Sequence, residues 1–145
     1  MSARRPRRPR PVPLLVLNGL ADAVAAAVGL SDRFAHGHGV AVTDQLGRVL
    51  DMVVFTEAHD TAEDAIRAGI AMGAHHPLVR RVVLLSVLEG VDITTPNELE
   101  VEMWHATVRR LSRVGLELWE WVVASGEVFR SLAITVETEH VWRSG

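Results

Sequence analysis

Apolar positions along this chain alternate between two spacings, and each switch marks an element. Val83-Leu84-Leu85-Ser86-Val87, the end of a strand expected over Leu78–Val87, is a short apolar run, the pattern of a strand buried on both faces. A loop, Glu89 to Thr94, follows. Thr95, Pro96 and Glu98 then stand at N-cap, N1 and N3 of a helix. Val101, Trp104, Val108 and Leu111 recur at helical spacing, and Gly115 suits the left-handed residue that ends it. Two strands, Leu116–Val123 and Val128–Ile134, are joined by a turn at Ala124–Glu127.

The first half reads in the same way. Leu14–Leu17 is a short strand or the lead-in to an Ala-rich helix, capped by Asn18 and ended by Gly29, with Leu20, Val24 and Val28 on its packing face. Ser31–Gly39 reads as a loop. Gly39–Asp44 and Arg48–Phe55 flank Gln45-Leu46-Gly47 as a hairpin. Asp60 or Thr61 caps a second helix that runs to about Ala74 and is broken by His75-His76-Pro77. The expected architecture is one α/β domain over residues 14–134: a mixed sheet flanked by helices, with tails at 1–13 and 135–145.

Composition changes this picture in two places. There is no Cys, which excludes a disulfide framework and a thiolate site, and no Lys, which excludes a Schiff base and a phosphate-loop lysine. Five of the fifteen arginines, Arg4, Arg5, Arg7, Arg8 and Arg10, lie among prolines in the first ten residues. That segment reads as a non-helical arm, either solvated or in electrostatic contact with nucleic acid. The remaining ten Arg face eighteen acids, so the body is acidic and unsuited to a broad nucleic-acid face. The apolar stretch after the arm, interrupted by Asn18 and Asp22, falls short of the ~20 residues a membrane span needs. A cytoplasmic protein is the expectation.

Candidate chemistry is sparse. No Gly-rich phosphate loop, Gly-x-Ser-x-Gly elbow or His-Glu-x-x-His occurs. His36 and His38 have the spacing of two ligands on one strand face, and Glu89, Asp92 and Glu100 lie around the loop before the third helix. Together they are candidates for a rebuilt His/carboxylate metal site; as an alternative, the histidines are exposed loop residues. His75 and His76 suit a helix C-terminus. Trp119 and Trp121 are two apart in a strand and are expected to share a face, buried under a helix or offered to a protein partner or a second copy.

With these elements laid out, the second half resembles the RadC-type branch of the JAB/MPN (JAMM) domain family. That family runs a hydrophobic strand into His-Asn-His-Pro-Ser-Gly-Asp, then Thr-Pro-Ser-x-x-Asp into a helix that exits at Gly-Ile before Leu-Asp-His-Ile-Ile, a turn and Ser-Leu. Here Val83–Ser86, Thr95-Pro96-Asn97, Gly115-Leu116-Glu117-Leu118, Trp119–Val123 and Ser131-Leu132 follow it without a gap, over about fifty residues. The resemblance implies a cytidine-deaminase-like three-layer fold. In active members it also implies a zinc hydrolase with two His and one Asp as ligands, a Ser and a Glu base. On this register the two His fall on Val87 and Glu89, the Ser on Asn97 and the Asp on Glu100; the base falls near His36–His38, where no carboxylate stands. Val87 has no donor atom. The resemblance therefore implies a framework without its activity: an inactive module with no cofactor, acting as an interaction or scaffold domain in a family linked to DNA repair. Two rival readings remain, a divergent zinc hydrolase using His36, His38, Glu89 and Glu100, and a nucleic-acid accessory protein using the Arg arm.

Overall fold

The computed structural model of the chain describes residues 36–88, 90–93, 98–125, 128–134 and 136. The Arg-rich arm, the expected helix at 18–28, Glu89, the Thr95–Asn97 helix entry and the tail beyond 136 lie outside them. The described chain runs β1 (Gly37–Thr43), β2 (Val49–Phe55), α1 (Ala62–His75), β3 (Arg81–Val87), α2 (Glu98–Ser112), β4 (Glu117–Ser125) and β5 (Val128–Ser131). These form a mixed α/β arrangement with a five-stranded sheet in the order β2-β1-β3-β4-β5. Among the described residues no helix is long and apolar enough to cross a membrane.

The consecutive apolar run becomes the middle strand. β3 pairs antiparallel with β1 and parallel with β4, and Val82–Val87 are all buried. The parallel pairing requires a crossover, which α2 supplies. Both described helices pack on one face of the sheet, against Val40, Val42, Val82, Leu84, Leu118, Trp121 and Val123. The other face buries Ala41, Val83, Leu85 and Val122, with Val49, Met52 and Trp119 against them. The second helical layer of a three-layer fold is therefore not among the described residues.

Local chemistry fixes the element ends. At the start of α1 the Asp64 carboxylate accepts the Thr61 N–H at 2.8 Å, one half of a capping box. Gly115 (φ 75°) turns the chain out of α2, where the Leu116 N–H donates to the Leu111 carbonyl. Asp44 closes the first hairpin by accepting the N–H groups of Leu46 and Arg48 and the Arg48 Nε–H. Burial pushes its carboxyl up, but these donors and the guanidinium outweigh it and hold the group below the usual carboxylate range.

Three expected boundaries move. β1 begins at Gly37, because Gly37 and His38 pair with Val87 and Ser86. β3 begins at Arg81 and not Leu78, since a turn with the Val79 N–H on the His76 carbonyl precedes it. β5 stops at Ser131: its Oγ accepts the Ile134 N–H and Leu132–Ile134 turn helical.

Candidate functional site

The carboxyl ends of parallel strands are where α/β sheets gather ligands. Here the ends of β3 and β4 meet the start of the antiparallel β1. The β1–β3 register sets His38 beside Ser86, with His38 Nδ1 3.0 Å from Ser86 Oγ. From the far side the Trp121 indole N–H donates to the same oxygen at 3.0 Å. An indole N–H can only donate, so Oγ accepts it; the same oxygen meets His38 Nδ1, as donor or as acceptor according to the imidazole tautomer. Burial and the neighbouring His36 lower the His38 pKa below the ordinary imidazole value; Asp60 and Asp64 pull weakly the other way.

His36 stands edge-on to His38, ring centroids 5.4 Å apart, with Nε2 3.4 Å from the Asp60 carbonyl oxygen. The two histidines are therefore not exposed loop residues. His38 is a buried strand residue and His36 is half-buried, because β1 starts two residues earlier than its apolar pattern suggests. Ser86 and His38 lie at the separation of a nucleophile and its base, yet both are closed from solvent.

On the other side, the positions that the family resemblance would assign to metal hold something else. Val87 is a buried apolar residue opposite Gly37 on one strand and Ala124 on the other. Glu100 is gripped through both oxygens by Arg130, whose Nε–H also donates to the Ile93 carbonyl at 2.6 Å. Both side chains are about six-sevenths buried, at 15% and 14% exposure. Guanidinium and carboxylate match as two parallel forks, which leaves Glu100 poorly placed for a metal. Glu89 and Asn97 lie outside the described residues. Among the described residues, no group of three or more His, Asp or Glu side chains converges on a common point where a metal ion would sit.

The tryptophans also depart from expectation. A bulge in β4, where the β3 partners step from Leu118 to Glu120, breaks the two-residue alternation. Trp121 enters the helix-side core at 2% exposure, whereas Trp119 stays half-buried on the opposite face under the Arg81 guanidinium, 4.9 Å from its ring centroid. They do not share a face, and Trp121 is not offered to a partner. The bulge also buries Glu120, whose Oε1 accepts the Ser131 hydroxyl at 2.9 Å and the Trp121 N–H at 2.8 Å. Ser86, Glu120, Ser131 and Arg130 carry the polar connections here, and sequence reasoning passed them over. The available signal was a polar residue interrupting an otherwise apolar strand, as Ser86 and Glu120 do.

Four exposed apolar side chains stand at this end, among the exposed acids Asp92, Glu98 and Glu102. Val91 in the loop after β3, Leu99 and Met103 one turn apart on α2, and Val128 opening β5 are all exposed, Leu99 at 66%. Arg130 ties the loop, α2 and β5 together through Ile93 and Glu100. Compared with known proteins, the chain matches no family model and no curated sequence.

Proposed function

We propose that this chain is a catalytically silent α/β module of the JAB/MPN type, acting as an interaction domain that takes a protein partner at the carboxyl ends of β3 and β4. The observations that carry this reading are the pairing of Glu100 with Arg130 and the burial of Val87, which has no donor atom. A catalytic zinc needs three donor side chains and one open position; at the corresponding places stand a hydrocarbon and a carboxylate already satisfied by a guanidinium. What supports binding is the exposed apolar set Val91, Leu99, Met103 and Val128, held on a framework braced by that ion pair. Exposed apolar patches on folded domains are the commonest mark of a contact surface.

The test replaces Leu99 and Met103 together by Glu. Both are exposed on α2, so the variant should melt with the parent chain. Cross-linked complexes are then compared by mass spectrometry, alongside the mass of the purified chain in solution. A defined partner, or a second copy, held by the parent and lost by the folded variant is the expected outcome. Identical complexes from both chains, or none from either, would overturn the reading.

A further inference from the structure

We propose that the exposed face of α2 docks on the same face of a second copy of this chain, antiparallel about a twofold axis near Ala106. This names the partner for the surface described above and rests on that reading. α2 turns Thr107 and Leu111 inward, with Trp104 and Val108 packed against the core. At about 100° per residue the opposite face carries Leu99, Glu102, Ala106 and Arg113, flanked by Met103 and Arg109, and all of these are exposed. Leu99, Met103 and Ala106 follow the alternating four- and three-residue spacing of a seam between helices. Ala106 is small enough to let two helix axes approach closely there.

The charges on this face select a second copy as the occupant. Glu98 and Glu102 lie one turn apart in its first half, Arg109 and Arg113 one turn apart in its second. The Arg113 N–H donates to the Arg109 carbonyl at 3.2 Å, so Arg113 continues the helical turn. Among the described residues none of these four side chains has a hydrogen-bond or ion-pair partner, whereas Glu100 and Arg110 on the same helix are held by Arg130 and Glu63. Glu98 and Arg113 stand equally far from the midpoint between His105 and Ala106, and so do Glu102 and Arg109. A twofold axis through that midpoint therefore sets Glu102 against the other copy's Arg109 and Glu98 against its Arg113, each contact formed twice. A parallel alignment would set like charge against like. The apolar seam supplies the attraction, and the charges fix its direction.

Sedimentation equilibrium of the full chain at low salt, up to about 1 mM, tests this. The parent chain should be a reversible dimer that weakens as salt rises. Glu98→Arg with Glu102→Arg makes the face wholly basic, and Arg109→Glu with Arg113→Glu makes it wholly acidic. Each double variant alone should dimerise at least about tenfold more weakly. Mixed in equal amounts they should form a heterodimer, and all four changes in one chain should restore the dimer. The chain has no Cys, so Ala106→Cys at the axis should oxidise to a linked dimer. Ser112→Cys should not, because antiparallel packing sets it about 20 Å from its own copy along the helix. A monomeric parent, double variants that ignore each other on mixing, or equal linking at both cysteine positions would overturn the proposal. A monomeric parent that still holds an unlike protein through Leu99 and Met103 overturns the second copy and leaves the interaction reading standing. If a charge variant fails to fold, the two cysteine variants decide.

Discussion

Replacing Ser86 by Ala should destabilise the domain by about 3 kcal/mol, a large cost for one oxygen atom. Ser86 is 5% exposed, and its Oγ is the shared member of two buried hydrogen bonds, each 3.0 Å long. Alanine leaves the Trp121 indole N–H and the His38 Nδ1 facing a methyl group. A buried polar group stranded in this way costs about 1–3 kcal/mol, and two are stranded together. Trp121→Phe removes the indole donor, so in that background Ser86→Ala strands only the imidazole. The double-mutant cycle should therefore show a coupling of about 1.5 kcal/mol. Urea unfolding followed by far-ultraviolet circular dichroism is the assay, because tryptophan fluorescence changes with the Trp121 variant itself. The midpoint should fall at unchanged slope. A loss for Ser86→Ala below about 0.5 kcal/mol, or strictly additive single variants, would refute the shared-oxygen arrangement.

Further expectations follow from the same contacts. The lowered pKa of His38 means that the folded chain takes up a proton less readily than the unfolded chain. Its contribution is therefore complete above the unfolded imidazole value of about 6.5, and declines as pH falls through that value toward the lower folded one. His38→Asn should remove this part of the decline in a melting series from about pH 7.5 to 5.5, and an unaltered slope would contradict it. Glu100→Ala removes the carboxylate that balances the Arg130 charge, 14% exposed, and should cost about 3 kcal/mol by urea midpoint. Arg130→Met placed on top of it should recover part of that loss, and a further loss would count against the pairing. Gly115→Ala meets no atom within 4 Å, yet its φ of 75° should cost about 1–2 kcal/mol; a neutral result would mean that the turn relaxes freely.

Much of the fold was legible because it rests on local signals. The apolar run before Leu88 marked the middle strand; Thr61, one of the two caps the sequence offered beside Asp60, opened α1; and Gly115 closed α2. What was illegible depended on partners far along the chain. Gly37 and His38 look like loop residues until Ser86 and Val87, forty-eight and fifty positions later, supply the pairing that makes them strand. Trp119 and Trp121 would share a face in a regular strand, and only the step in the β3–β4 register separates them. Glu100 reads as a metal-ligand candidate until Arg130 arrives from β5 to occupy it. Each of these is a through-space contact, and hydrophobic periodicity carries no information about it.

The central proposal is that the carboxyl ends of β3 and β4 serve binding and do not hold a catalytic metal. Zinc titration of the purified, chelator-stripped chain, read as bound metal per chain by elemental analysis, tests it most directly. The expected result is no stoichiometric zinc, with hexahistidine-free protein and Glu100→Ala, His38→Ala double variant giving the same background. One tightly held zinc per chain, lost in that double variant while the fold is kept, would contradict the claim and restore the hydrolase reading.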